Sequence, residues 1–148
     1  MRTEAISQDN LAPLAALAVE LWPDSSFEEE LEGFRSTLHS DKETCYLVTD
    51  KDVYIAFIHV TLRFDYVEGA DASPTAYIEG LYVKETYRKA GVAKLLLHTA
   101  EQWAIQKGCA QLASDTELSN SASIQFHLHN GFSEANRVVC FIKQLNIR

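Results

Sequence analysis

A strand, a short basic loop and a helix follow one another in the middle of this 148-residue chain. The apolar run Tyr77–Val83 predicts the strand, and the amphipathic pattern that begins at Val92 predicts the helix. Between them lies Arg88-Lys89-Ala90-Gly91. A helix N-terminus offers free N–H groups to anions, glycine allows close approach, and basic side chains add charge. The order therefore predicts a pyrophosphate cradle, although a basic turn before a helix would look the same.

The apolar patterns along the whole chain predict an α/β fold in a single domain over residues 1–148. In chain order, the predicted elements are a strand over residues 3–7, a helix capped by Asp9 or Asn10, a helix opened by the Ser26-x-x-Glu29 capping box, strands over Thr44–Thr49, Val53–Tyr66 and Thr75–Val83, a helix ending at Lys107-Gly108, a strand over Cys109–Asp115, a short helix capped by Ser119 or Asn120, and a hairpin over Phe132–Ala135 and Arg137–Leu145. This order indicates a mixed central sheet flanked by helices on both faces.

The long strand over Val53–Tyr66 alternates between two faces. Tyr54, Ala56 and Ile58 are expected on one face. Phe57 and the residues that follow it at every second position are expected on the other face, which turns polar towards the end of the strand.

The charge balance limits the class of partner. The chain has 13 basic and 21 acidic residues and a net charge of −8. Nucleic-acid binding needs a basic face, so the sequence argues against that partner. An acidic cleft attracts cations, and the composition therefore suits a cationic small molecule.

No run approaches about 18 apolar residues, and the N-terminus lacks the apolar segment of a signal peptide. We therefore expect a cytoplasmic protein that does not span a membrane. Cys45, Cys109 and Cys140 form no pair at metal-ligand spacing, so no metal site is predicted and ordinary buried thiols are expected.

Two carboxylates are candidates for chemistry. Glu79 is the only charge in an apolar strand, where it must either pair with another group or line a cavity. Asp115 ends the neighbouring strand, at the edge where ligands bind in open α/β sheets, or it is a simple turn residue. Facing one cleft, the two groups could bind an ammonium group and accept its proton.

The pattern R-x-x-G-x-A after a strand resembles the coenzyme A loop of the GNAT N-acetyltransferase superfamily, and the element order is also the GNAT order. Within that superfamily, the chain resembles the bacterial aminoglycoside 6'-N-acetyltransferases over nearly its full length. The similar segments are Leu21-Trp22-Pro23, Asp65-Tyr66-Val67, Ile78-Glu79-Gly80, Arg88–Lys94, Lys107-Gly108-Cys109, Ala113-Ser114-Asp115-Thr116, Gly131-Phe132 and Arg137-Val138-Val139.

The resemblance implies direct transfer of an acetyl group from acetyl-CoA to the 6'-amine of an aminoglycoside, and a homodimer that pairs or exchanges C-terminal strand elements. It implies that Glu79 and Asp115 are catalytic. Implied aminoglycoside contacts come from Trp22, Ser25, Tyr66, Glu79, Asp115 and Asn136. Implied acetyl-CoA contacts come from Leu81, Tyr82, Val83, Arg88, Lys89, Ala90, Gly91, Val92, Ala93, Lys94 and Asn120.

Three positions depart from the pattern of the family. Ser25 stands where relatives often have histidine, and Asn136 stands where they often have an acidic residue, which bears on the range of drugs accepted. His127 stands where many GNAT enzymes have a tyrosine that protonates the leaving thiolate. It is either that acid or a surface histidine.

Two other functions stay open at this point. The first is a GNAT enzyme that acetylates another cationic amine, such as a polyamine, a small amine or a protein N-terminus. The second is a sensor module that binds acetyl-CoA without turnover. The presence of Glu79 and Asp115 argues against this second function. A plain nucleotide-binding domain is disfavoured, because neither a G-x-x-x-x-G-K-[ST] loop nor a G-x-G-x-x-G fingerprint occurs.

Overall fold

The computed structural model describes residues 1–147. The strands are β1 (Arg2–Ala5), β2 (Glu43–Asp50), β3 (Val53–Arg63), β4 (Thr75–Val83) and β5 (Leu112–Ala113). The α-helices are α1 (Leu11–Leu21), α2 (Phe27–Leu38), α3 (Val92–Gln106) and α4 (Ser121–His129). Short 3-10 helices lie at Gln8–Asn10 and Glu85–Tyr87.

Two compact units divide the chain. The first, Met1–Asp115, holds all five strands together with α1, α2 and α3. The second begins at Thr116 and holds α4.

The sheet of the first unit runs in the order β1-β2-β3-β4-β5. Neighbouring strands are antiparallel except for β4 and β5, which are parallel. The predicted mixed sheet is therefore confirmed. Strand β5 is shorter than the predicted Cys109–Asp115, since its backbone pairs with β4 only through Leu112 and Ala113.

The core lies on both faces of β2 and β3. Phe57 and Leu47 are fully buried in a cluster with the apolar stripe of α1 and with Phe34 of α2. Ile58 points to the other face because side chains alternate along a strand, and α3, which packs against β2, β3 and β4, buries Leu96 there. This burial of apolar surface supplies the main driving force for folding.

Tyr54 departs from the predicted alternation. It packs against the cluster that contains Phe57 rather than sharing a face with Ala56. The reason is a bulge: Thr49 pairs with Tyr54 and Val48 pairs with Ala56, so Ile55 is an extra residue in β3. An extra residue reverses the side-chain alternation beyond it.

Two of the predicted helix caps are confirmed, at Ser26 and Asn120, whereas Asn10 stands at the N-cap of α1 without making a side-chain cap hydrogen bond. Ser26 accepts a hydrogen bond from the backbone N–H of Glu29 (3.1 Å) at the start of α2. Asn120 accepts one from Ser123 N–H (3.1 Å) and caps α4. Each bond satisfies a donor that the first turn of a helix leaves free.

The predicted C-terminal hairpin is wrong. Residues 133–147 contain no strand, and large apolar side chains in this segment are exposed, among them Phe141 (91%) and Ile142 (92%). A period-2 apolar pattern gives strand propensity, but a strand forms only where another strand pairs with it. Cys140 lies in this segment and is exposed, contrary to expectation, whereas Cys45 and Cys109 are buried.

No helix in the described part of the chain is long and apolar enough to cross a membrane. Within residues 1–147, no three His, Cys, Asp or Glu side chains are grouped so that they could hold a metal ion.

Candidate active site

Strand β4 carries a bulge at Glu79. Strand β3 pairs His59 with Gly80 and the next residue, Val60, with Ile78, so Glu79 is an extra residue without a register partner. Glu79 lies two residues after Tyr77, which pairs with Thr61, and alternation along the strand therefore points it to the face that carries the polar end of β3. The extra residue reverses the alternation of the strand beyond Glu79.

Glu79 is held by two residues of β3. Thr61 Oγ1 donates to Oε2 at 2.7 Å. The guanidinium of Arg63 donates to both carboxylate oxygens, from Nη2 to Oε1 at 2.9 Å and from Nε to Oε2 at 3.1 Å. Burial raises the pKa of Glu79, but the hydrogen bonds from Arg63 and Thr61 outweigh that effect and leave the pKa below its ordinary value. Glu79 is therefore an ionised, oriented carboxylate.

Asp115 belongs to the same group of contacts. It follows β5 by two residues and accepts the hydroxyl hydrogen of Tyr77. Burial, together with this hydrogen bond, raises the pKa of Tyr77 to about 12. The Arg63 guanidinium lies 3.4 Å from the centre of the Tyr77 ring, so a continuous chain of contacts joins Glu79 to Asp115. The structure thus brings the two predicted carboxylates together.

Trp22 lies beside this group. Its indole ring comes so close to Gly80 that a Cβ added there would stand 2.6 Å from Cη2. The ring also makes an edge contact with Phe57, with centroids 6.2 Å apart. Ser25 donates its hydroxyl hydrogen to the Trp22 carbonyl (3.0 Å) and so belongs to the turn that holds the indole.

Tyr66 is not brought into this group. Tyr66 lies in the loop between β3 and β4, is 80% exposed and donates its hydroxyl hydrogen to Glu68. Asn136 belongs to the second unit, where its side-chain oxygen accepts a hydrogen bond from the Arg137 backbone N–H (2.7 Å).

The basic loop leads directly into α3. Lys89 and Gly91 both have positive φ, +65° and +83°. Gly91 is the N-cap of α3 and makes no side-chain cap, so the first N–H groups of the helix are left to other partners. Arg88 Nε donates to the Val83 carbonyl (2.8 Å) and holds the loop against the end of β4. The loop has the geometry of an anion site.

The bulge also turns backbone donors outward. Lys84 N–H bonds to the Ile55 carbonyl of β3 (2.9 Å), and donors alternate along a strand, so the N–H groups of Val83 and Leu81 point away from β3. Within residues 1–147, β5 pairs only with Ala76 and Tyr77. No residue of β5 therefore pairs with β4 beyond the bulge, where the N–H groups of Leu81 and Val83 point away from β3.

Asn120 and His127, assigned to acetyl-CoA and to the thiolate, lie in the second unit. Asn120 uses its side-chain oxygen to cap α4. His127 Nδ1 donates to the Ser123 carbonyl at 2.7 Å, and because a carbonyl only accepts, Nδ1 carries a hydrogen.

Three residues of this site, Arg63, Tyr77 and Thr61, were not among the site residues predicted from the sequence. The only signal was the polar end of the long strand, where Thr61 and Arg63 share a face. Which of these side chains meets Glu79 depends on the register of β3 against β4, and the sequence pattern does not indicate that register.

Comparisons with known proteins show the family of the chain. Residues 9–132 match the acetyltransferase (GNAT) family. An aminoglycoside N(6')-acetyltransferase type 1 from Serratia marcescens is 41% identical over 138 residues, which cover 93% of this chain and 94% of the relative.

Among solved structures, AAC(6')-Iy in complex with the bisubstrate analog CoA-S-monomethyl-acetylneamine superposes with a TM-score of 0.93 at 31% identity, covering 97% of this chain and 98% of that one. Apo AAC(6')-IG from Acinetobacter haemolyticus gives a TM-score of 0.91 at 33% identity over 99% and 100% of the two chains. The chain belongs to the GNAT acetyltransferase family and, within it, to the group of the aminoglycoside N(6')-acetyltransferases.

Proposed function

We propose that the chain transfers an acetyl group from acetyl-CoA to the 6'-amino group of aminoglycosides and thereby confers resistance to them. The observation that carries this proposal is the joining of Glu79 to Asp115 through Arg63 and Tyr77, one strand away from an open donor edge. The bound analogue named for the AAC(6')-Iy structure contains both CoA and an acetylated aminoglycoside, which supports the same pair of substrates here.

The loop before α3 would hold the pyrophosphate of acetyl-CoA. Lys89, Ala90 and Gly91 form the turn, and the free N–H groups at Val92, Ala93 and Lys94 point along the helix axis towards an anion. The basic side chains of Arg88 and Lys89 add positive charge near those donors. Tyr82 of β4 and Asn120 of α4 are further contacts that the family resemblance implies.

Glu79 and Asp115 would bind the substrate's ammonium form and orient it. One of the two carboxylates then accepts a proton, directly or through water, so that the neutral amine can attack. The new C–N bond forms as the C–S bond breaks, without an acetyl-enzyme intermediate. Leu81 and Val83 N–H groups would stabilise the charge that develops on the carbonyl oxygen, and His127 is a candidate donor to the leaving thiolate.

Trp22 would form one wall of the aminoglycoside pocket, since it packs against the residue after Glu79. Ser25, Tyr66 and Asn136 are proposed as outer contacts with the drug. Asn136 offers an amide where many relatives offer a carboxylate, so we expect weaker binding of the polycationic rings at that position.

A homodimer is proposed from the C-terminal segment. Exposed apolar side chains recur along residues 138–147, as Phe141 and Ile142 illustrate, and burial against a second copy would remove them from water. Sedimentation of the full chain is expected to give a dimer. The double variant Phe141→Asp/Ile142→Asp should shift it towards monomer, whereas a monomeric parent would contradict the proposal.

The two compact units are proposed to act as one acetyltransferase domain, in the cytoplasm where acetyl-CoA is made. The acidic composition supports a cationic substrate and gives no support to a nucleic-acid partner.

The test is steady-state acetyl transfer, followed by thiol release, with kanamycin and tobramycin against spermidine and a small peptide panel. High kcat/KM on the aminoglycosides, with the product acetylated at the 6'-amine, is the expected result. Activity on polyamines or peptides alone would move the function to another cationic amine. Binding of acetyl-CoA without any turnover would favour a sensor.

A further inference from the structure

The Arg63 guanidinium already occupies an ammonium site. It contacts both oxygens of Glu79 at 2.9–3.1 Å and lies 3.4 Å from the centre of the Tyr77 ring. A carboxylate together with an aromatic face is the pair of groups that binds an alkylammonium ion in proteins. The side chain of this chain's own arginine therefore lies where the substrate's ammonium group is proposed to bind.

Glu79 has little capacity for another donor while Arg63 is in place. A carboxylate offers about four acceptor positions. Thr61 makes one contact with Glu79, and Arg63 makes three. A substrate ammonium can pair directly with Glu79 only if one of these donors leaves.

Arg63 is the donor that can leave. It is the last residue of β3, and its side chain is 42% exposed, compared with 27% for Glu79. Thr61 is paired on both sides, with Tyr77 and Glu43, whereas Arg63 is paired with Thr75 alone. A guanidinium that swings outward regains water as its partner, so its departure leaves no unpaired buried charge.

We propose that the substrate's ammonium group displaces the Arg63 guanidinium from Glu79, an inference that rests on the proposed function. This exchange makes Arg63 a specificity-determining residue that favours polycationic amines.

The selectivity follows from the charges around the site. When the ammonium group of a monoamine replaces the Arg63 guanidinium on Glu79, the net charge of the site changes little. A monoamine therefore gains little binding free energy from this exchange. A substrate with more ammonium groups also pairs with Asp115, which accepts the hydroxyl hydrogen of the same Tyr77 whose ring Arg63 covers. Specificity is the difference between the affinity for a polycationic amine and the affinity for a monoamine.

The first test observes the displacement itself. In the complex with coenzyme A, the Nε–H signal of Arg63 is assigned by NMR through its loss in Arg63→Lys, and its hydrogen exchange is measured with and without saturating kanamycin. We expect exchange to accelerate by about tenfold or more when kanamycin binds, because the hydrogen bond to Glu79 opens. Unchanged protection in the kanamycin complex would overturn the proposal.

The second test compares kcat/KM for kanamycin with that for 6-amino-6-deoxyglucose, which has one amine. Arg63→Met removes the charge and keeps an unbranched stem, so it should lower the kanamycin-to-monoamine ratio by about fivefold. Arg63→Lys should keep the ratio within about twofold. The ratio is independent of the fraction of folded enzyme, and an equal loss on both substrates in Arg63→Met would contradict the proposal.

Different results would contradict the proposed function and the displacement of Arg63. If the parent enzyme leaves the 6'-amine of kanamycin unmodified, the proposed function fails, and spermidine then replaces kanamycin in the exchange experiment. Acceleration by spermidine would still support displacement. A chain that binds neither cation would contradict both proposals.

Discussion

The indole of Trp22 lies against the backbone of Gly80, at a distance that leaves no room for a side chain: a Cβ on Gly80 would stand 2.6 Å from Cη2 and 2.9 Å from Cζ2. Gly80 directly follows the bulged Glu79. The contact therefore couples the end of α1 to the strand residue that bears the candidate catalytic carboxylate.

Gly80→Ala should push the Trp22 ring out of place. We expect a loss of about 1–3 kcal/mol in the free energy of unfolding and a higher KM for the amine, because overpacking displaces both the ring and the strand. Urea unfolding and steady-state kinetics measure the two effects. The matched control is Gly33→Ala in α2, where a Cβ meets nothing within 4 Å. Alanine there should raise the free energy of unfolding by about 0.5–1 kcal/mol. Equal stability changes in both variants would refute the packing argument.

Gly91 and Gly108 allow the phosphate site to be separated from backbone strain. They have φ of +83° and +84°, a Cβ on either meets nothing within 4 Å, and they flank the two ends of α3. Alanine at each should therefore cost a similar stability, about 1–2 kcal/mol. Only Gly91→Ala should weaken acetyl-CoA binding, measured by calorimetry. Equal dissociation constants in the two variants would remove Gly91 from the cofactor site.

Glu79→Gln and Asp115→Asn should each lower kcat/KM for kanamycin by about a hundredfold, because each removes a charge that binds the ammonium and a group that can take its proton. The affinity for acetyl-CoA should stay within about twofold of the parent. Glu32→Gln, which removes a carboxylate paired with Arg35 on the exposed face of α2, serves as the control. A parallel loss of affinity for both substrates would indicate a structural role.

The stability of the fold should depend on the ionisation of Glu79. Its pKa in the folded protein lies below the ordinary value of 4.5, so the ionised form stabilises the fold above about pH 4.5 and this contribution disappears as the pH falls through the lowered pKa. The difference in unfolding free energy between the parent and Glu79→Gln should therefore shrink as the pH falls below about 4.5. Urea unfolding between pH 3 and pH 7 measures it, and a difference that is constant with pH would contradict the assignment.

Features set by a few neighbouring residues were predictable from the sequence. The side-chain caps at Ser26 and Asn120 and the turn at Gly91 depend on local backbone geometry, which residue type controls directly. The isolation of Glu79 in an apolar strand was likewise sufficient to predict that it pairs or lines a cavity.

Features set by pairing between distant segments were not predictable. Arg63 meets Glu79 because the pairing of β3 with β4 sets Thr61 opposite Tyr77 and Arg63 opposite Thr75, on the face of the sheet to which Glu79 points. The segment around Phe141 has a strand pattern, but a strand requires a partner that no local pattern supplies. Tyr54 changed faces for the same reason, since a bulge at Ile55 reversed the alternation.

The bulge at Glu79 has a consequence for how this enzyme can evolve. One extra residue reverses the alternation of the strand beyond Glu79 and turns the backbone donors of Leu81 and Val83 away from β3. Point substitutions around it can change the amine preference while these donors keep their direction. Deleting one residue there would remove the bulge and turn the same donors towards β3, so new specificities can arise by exchange of side chains but not by a change in the length of the strand.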